Sequence, residues 1–187
     1  VEYSATGTSS YGYFCAGEGA PGAIITTIDR IDYSSDTSTA VAKGPLSIAK
    51  EKFGSTGNAS YGYMGGGKNY PNVYSTIDRI DYSSDTSTAL AKGPLSGTNY
   101  LNAATGNASY GYWAGGYTSP ATLSLIDRVD YSSDTPTAVE KGPLSSTRNT
   151  QAAVGNSSYA YFVSGIINWP TLTTIIDRVD YSNDTAT

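Results

Sequence analysis

The chain has no histidine, one cysteine, one methionine and two tryptophans in 187 residues. Without histidine there is no usual base to activate a serine or cysteine nucleophile, and the serines lie in repeated turn contexts. A lone cysteine, Cys15, excludes an internal disulfide framework and carries no information on redox compartment. Later copies of its slot hold Gly65, Ala114 and Val163, so it reads as a tight packing position filled by a small hydrophobe. Charge is scarce as well, at 14% of residues with a net charge of −5. A basic nucleic-acid surface is therefore not expected. No periodic stretch of ten or more good helix formers exists, which excludes a helical repeat. No apolar run is long enough to suggest a membrane span.

What the chain has is repetition. DRIDYSSDT begins at Asp29 and Asp78, and recurs as DRVDYSSDT from Asp127 and DRVDYSNDT from Asp177. SYGY or SYAY starts at Ser10, Ser60, Ser109 and Ser158, and KGPLS at Lys43, Lys92 and Lys141. The period is about 49 residues, and a fixed period in that range marks a stacked-repeat architecture. One repeat domain is expected over 1–187, with units of approximately 1–50, 51–99, 100–148 and an incomplete 149–187. Glu51 is in register with Val1, so the chain opens inside a repeat. It is expected to be part of a longer polypeptide, the other reading being a closed ring of four blades with a frayed seam.

Seventeen tyrosines, with threonine, isoleucine and valine, suit strands, and 21 glycines with eight prolines punctuate them. In the second copy four short strands are predicted. They are SYGYMGGG from Ser60, STIDRIDY from Ser75, ALAKGPLS from Ala89 ending near Pro94, and TNYLNAAT before Gly106. One such unit has too little core to stand alone and needs neighbours on its faces.

In the DRIDY strand both faces mix apolar and charged residues, which suits a sheet stacked on both sides. The four motifs contain twelve of the sixteen acidic residues and four of the five arginines. Structural ion pairs are therefore expected among Asp29, Arg30 and Asp32, Asp78, Arg79 and Asp81, Asp127, Arg128 and Asp130, and Asp177, Arg178 and Asp180. Each arginine would bridge carboxylates in its own or an adjacent unit. Asp36, Asp85, Asp134 and Asp184, each before a threonine, are predicted to cap turns through Asx-type bonds. Asp32, Ser34 and Asp36 place oxygens at alternate positions, but the glycine and distal glutamate of an EF-hand loop are missing, and no metal site is assigned.

The segments after each SYGY strand diverge: EGAPGAIIT, GKNYPNVYS, GYTSPATLS and GIINWPTLT. They carry Tyr70, Tyr74, Tyr117 and Trp169 beside a recurrent proline. Aromatic residues on loops stack on sugar rings or anchor protein contacts, so these four are candidate binding residues. Packing over the sheet rim is the alternative.

Tyr63, Gly66-Gly67, Asp78-Arg79 and the GPLS segment together resemble kelch repeats. The double glycine also stands at Gly115-Gly116, and is altered to Ala16-Gly17 and Ser164-Gly165. The family's basic residue after GPLS appears at Arg148, with Lys50 and Asn99 in the earlier copies, and the typical kelch tryptophan is absent. The wording is also similar to kelch-type proteins of marine bacteriophages and environmental sequences. The resemblance implies an all-β, kelch-like β-propeller of four-stranded antiparallel blades, with an open β-solenoid as the alternative. It implies a non-enzymatic structural, adhesive or recognition role, extracellular or in a virion. Partners would be other subunits of an assembly or a surface glycan or protein, without nucleic acid or membrane insertion. The copper oxidases among kelch-like propellers need histidine ligands, so no cofactor is expected. The alternative function is a free carbohydrate- or protein-binding domain, and a glycan-active enzyme is a more distant one.

Overall fold

The computed structural model describes residues 3–35 and 37–186, of which 185 and 186 by backbone alone. Each repeat contributes one four-stranded antiparallel sheet that runs up and down in chain order. The first comprises Ser4–Gly7, Tyr11–Glu18, Ile24–Asp32 and Val41–Lys43. The second comprises Gly54–Gly57, Tyr61–Gly65, Ile77–Asp81 and Leu90–Lys92. The third and fourth follow the same plan, through Ala103–Gly106 and Ala152–Gly155 as their first strands. Of the predicted strand over TNYLNAAT only the end forms, within Ala103–Gly106, and it pairs forward with Tyr110–Ala114 to open the next sheet.

Local chemistry explains the turns. Between first and second strands, the side-chain oxygens of Asn58, Asn107 and Asn156 each accept from two backbone N–H groups. The donors are two and three residues on, at 2.7–2.9 Å. After the second strand the paired residues Gly66-Gly67 and Gly115-Gly116 take positive φ, at 76° and 101° and at 61° and 104°. Ala16-Gly17 and Ser164-Gly165 adopt the same turn. It sends the chain into a small hairpin, Lys68–Asn69 with Asn72–Val73 in the second repeat, before the DRIDY strand.

The KGP segments stitch each repeat to the next. Gly44 N donates to Asp85 O at 2.8 Å and Gly93 N to Asp134 O at 2.9 Å. Ala89 N and Ala138 N return bonds to Pro45 O and Pro94 O at 2.8 Å. A Cβ on Gly44 or Gly93 would lie 1.8 Å from a backbone oxygen of the neighbour, so glycine is required by close approach.

Three apolar clusters fill the spaces between successive sheets. Tyr13, Cys15 and Ile28 meet Met64, Ile80 and Ala89; Tyr63, Ile77 and Leu95 meet Trp113, Val129 and Ala138; Tyr112, Ala114 and Ile126 meet Phe162 and Val179. Burial pushes the Cys15 thiol up to about 12, so it is packing material and not a nucleophile. In each seam two tyrosines stack, Tyr13 on Tyr82, Tyr63 on Tyr131 and Tyr112 on Tyr181, at 4.6–4.9 Å between centroids.

The first strands of the four sheets lie side by side in chain order. The series does not close. Ile176 in the last sheet is 59% exposed, whereas its equivalents Ile28, Ile77 and Ile126 are at most 1% exposed. Phe14 in the first sheet is 45% exposed, against at most 1% for Met64, Trp113 and Phe162. A closed ring would bury both. The expected kelch-like β-propeller is therefore not formed, and the sheets make an open, solenoid-like array. The kelch resemblance fails on the architecture it implied, and its virion-associated role has no support. Among the described residues no helix is long and apolar enough to cross a membrane.

Candidate functional site

The clustered charges of the DRIDYSSDT motif form two distinct arrangements, both between repeats. In the first, the aspartate before threonine reaches back to the preceding sheet. Asp85 accepts from Arg30 Nη1 at 2.8 Å and Tyr13 Oη at 2.9 Å, with Lys43 Nζ at 3.1 Å. Asp134 holds Arg79, Tyr63 and Lys92 at 2.7, 3.0 and 3.2 Å. Asp184 holds Arg128, Tyr112 and Lys141 at 2.6, 2.6 and 3.0 Å. Each arginine also lies over the ring of the first SYGY tyrosine, Tyr11, Tyr61 or Tyr110, at 4.3–4.5 Å.

Asp85, Asp134 and Asp184 are therefore inter-repeat clamps, not the turn caps expected of them, and Asp36 lies outside the described residues. The capping is done four residues earlier, by Asp32, Asp81, Asp130 and Asp180. Each accepts from the backbone N–H and hydroxyl of the serine two residues on, at 2.6–2.9 Å. These four do not form the arginine pairs. Asp81 and Asp85 face different partners, which removes the convergence a cation would need. Among the described residues no group of three or more metal-ligating side chains occurs.

The second arrangement uses the first aspartate of the motif. Asp78 is buried beside Lys50 Nζ at 3.2 Å and accepts from Ser47 Oγ. Lys50 also donates to Met64 O at 2.9 Å and Thr76 O at 3.1 Å. Burial lowers the Lys50 pKa, against the pull of Asp78. Asp177 pairs with buried Arg148 at 2.6 Å, and Arg148 donates to Phe162 O at 3.2 Å. At Asp127 the cation is missing. Asn99 stands where Lys50 and Arg148 stand, Ser96 N donates at 3.1 Å, and burial raises the Asp127 pKa. Asp29, in the first sheet, is half-buried, and Arg178 in the last is exposed.

These environments set an acid response. Burial raises the Asp85 pKa, but the Tyr13 hydroxyl, the Lys43 ammonium and Arg30 together hold it below the usual range. The Ser34, Ser83, Ser132 and Ser182 hydroxyls, then their N–H groups, lower Asp32, Asp81, Asp130 and Asp180. A depressed folded-state pKa contributes stability that is present above the unfolded value, about 3.9, and is lost as pH falls through the folded value. The thermal midpoint should therefore fall once pH drops below about 4. A midpoint unchanged down to about pH 2 would contradict this.

Arg79 with Asp81, Asp130 and Asp29 border surface depressions of about 290, 360 and 350 Å³ respectively. A larger groove, of about 580 Å³, lies between the hairpins of the third and fourth repeats. The hairpin of Tyr117–Thr118 with Ala121–Thr122 lines it through Tyr117, Pro120 and Thr122, and that of Ile166–Asn168 with Thr171–Leu172 through Ile166, Asn168 and Trp169. The peptide bonds before Pro21, Pro71, Pro120 and Pro170 are all cis. Backbone pairs Tyr100 with Tyr117 and Asn149 with Ile166 tie the hairpins to the sheets at 2.7–3.1 Å. Leu101 and Thr150, both at positive φ and joined by Thr150 N donating to Leu101 O at 2.9 Å, line the groove between the hairpins.

The groove brings together Tyr117 and Trp169, with Trp169 82% exposed. It adds Tyr100, whose ring meets Tyr117 edge-on at 5.5 Å and carries Lys68 Nζ at 4.7 Å on its face. Asn149, Asn168, Thr122 and Thr150 supply neutral hydrogen-bonding groups, and no charged residue lines it. Tyr70 is exposed at the tip of the second hairpin, outside the groove, and Tyr74 is half-buried with its backbone bonded to Gly67 O. Tyr100 and Asn149 were not singled out by sequence. Their signal is a second divergent stretch, at 48–53, 97–102 and 146–151, which folds onto the face of the variable hairpins.

No family model matches the chain, and no curated protein matches it.

Proposed function

We propose that the chain is a non-enzymatic binding module whose stacked sheets present an uncharged aromatic groove to a neutral carbohydrate. The observation that carries this reading is Trp169, a large aromatic left in solvent beside Tyr117 on a hairpin anchored by paired backbone hydrogen bonds. Aromatic faces take up the C–H face of a sugar ring, while amides and hydroxyls at the rim bond its hydroxyls. The absence of lining charge disfavours phosphates and acidic peptides. The volume falls within the range of small-ligand clefts, roughly 300–1,000 Å³.

The two tryptophans make a direct test available, because Trp113 is buried and Trp169 exposed. Titration with a panel of neutral oligosaccharides should shift tryptophan emission for at least one member. Trp169→Ala or Tyr117→Ala should weaken that binding about tenfold, the order of one aromatic contact. Tyr70→Ala, outside the groove, should leave it unchanged. If no saccharide perturbs emission, the carbohydrate reading is lost.

A further inference from the structure

The first aspartate of the motif has a buried cation beside it in the second and fourth repeats, but not in the third. Asp78 has the Lys50 ammonium at 3.2 Å and Asp177 the Arg148 guanidinium at 2.6 Å. Asn99 fills the slot before Asp127, and the charge that Asp127 feels is that of Glu140, a cross-strand neighbour of its own sign. Alanine, as Ala42 and Ala91, stands at that neighbouring position in the first two repeats. Asn99 turns away from Asp127. Its Oδ1 accepts from Asn102 Nδ2 and lies against Gly66 of the preceding repeat, where an added Cβ would be 2.6 Å from it. Asp127 is 0% exposed; its Oδ2 accepts from Ser96 N, and its Oδ1 has no hydrogen-bond partner among the described residues. The buried Asn102 Oδ1 has none either.

We propose that this point between the second and third repeats binds one monovalent metal cation, which takes the part of the Lys50 ammonium. The second repeat shows which groups converge there. Lys50 Nζ is held by Met64 O at 2.9 Å, Thr76 O at 3.1 Å and Asp78 Oδ2 at 3.2 Å, with the Phe53 ring centre 5.4 Å away. In register, the third repeat supplies Trp113 O, Leu125 O, Asp127 and, in the place of Phe53, Asn102. An apolar ring has given way to an amide while the long basic side chain has been lost. A buried charge is costly unless it is paired or coordinates a metal. One carboxylate among neutral carbonyl and amide oxygens matches a single positive charge. The ammonium's oxygens at 2.9–3.2 Å are too distant for magnesium, at about 2.0–2.1 Å, or calcium, at about 2.3–2.6 Å. Carbonyl oxygens replacing a hydration shell are ligands that potassium accepts. Without the ion Asp127 is a buried carboxylate lacking a counterion, and asparagine in its place leaves stability unchanged or raises it. With the ion bound, the aspartate chain gains and the asparagine chain does not.

The test is thermal unfolding at neutral pH in potassium, sodium or tetramethylammonium chloride at equal ionic strength. Tetramethylammonium supplies the screening but is too bulky for a packed seam. The wild-type midpoint should rise by about 2–4 °C in potassium or sodium, saturating with concentration, and the two salts tell which ion fits. Asp127→Asn should show no such rise, because the charge that holds the ion is gone. Asn99→Lys should show none either, and in tetramethylammonium its midpoint should already exceed that of the wild type, since the ammonium comes with the chain. Should Asn99→Lys fail to fold, Asp127→Asn alone decides. A wild-type midpoint equal in all three salts would overturn the proposal. So would an alkali-ion rise of the same size in Asp127→Asn, which would place the effect elsewhere. No saccharide enters the measurement, so the carbohydrate reading stands or falls separately.

Discussion

Asp177→Asn is expected to destabilise the seam between the third and fourth repeats by about 3–5 kcal/mol. Asp127→Asn, the same change one repeat earlier, should leave stability unchanged or raise it. The difference lies in the cation. Arg148 is fully buried and has Asp177 as its counterion at 2.6 Å. Removing the carboxylate charge strands a guanidinium in an apolar seam. Asp127 has no such cation, because Asn99 occupies the slot, and burial has already raised its pKa. A raised folded-state pKa means that stability is greatest below the unfolded value and is lost as pH rises through the folded one. Asparagine abolishes that loss, so the Asp127→Asn variant should gain most at neutral pH. Urea unfolding of both variants at neutral and mildly acidic pH decides the matter. Equal losses would show that the cation is irrelevant.

Asp134→Ala should be comparably severe, at about 3–5 kcal/mol, because it removes the common partner of Arg79, Lys92 and Tyr63. The carboxylate is 7% exposed, and its loss leaves two cations of the second sheet side by side at the second seam without their shared counterion. Arg79→Ala should cost less, about 1–3 kcal/mol, since the side chain is partly exposed and Lys92 still neutralises Asp134. The two changes share a partner and should not add; the double variant should resemble Asp134→Ala alone. Thermal unfolding of the three variants measures this. A midpoint unmoved by Arg79→Ala would mean the clamp contributes nothing.

The groove was legible only in part. Tyr117 and Trp169 were visible as aromatics on segments that diverge while their surroundings repeat. Tyr100 and Asn149 lie about 17 residues from their bridge partners, Tyr117 and Ile166, in a stretch read as a strand. Only the turn through the paired positive-φ residues brings the two divergent stretches onto one face. The roles of the aspartates were misallocated for a related reason. Asp32 and Asp36 both precede serine or threonine contexts that form Asx bonds, and nothing local says which carboxylate turns inward. The choice falls to Asp85, Asp134 and Asp184 because the neighbouring sheet puts a guanidinium, an ammonium and a phenol within reach.

By itself the sequence determined the period, the all-β character and the strands of each unit, because alternation, glycine and asparagine turns and β-branched residues act over a few residues. It also determined that charge would gather in the DRIDYSSDT motif. Only the tertiary structure decided which repeat each charge serves, and whether the series closes. Near-identical repeats offer the same residues at every step, so a partner in the same unit and one in the next look alike along the chain. Closure is a sum of small rotations between packed faces, and those are set by how Met64, Trp113 and Phe162 seat against their neighbours, not by any local signal. Among the described residues the first and last sheets do not meet, and Phe14 and Ile176 stay exposed.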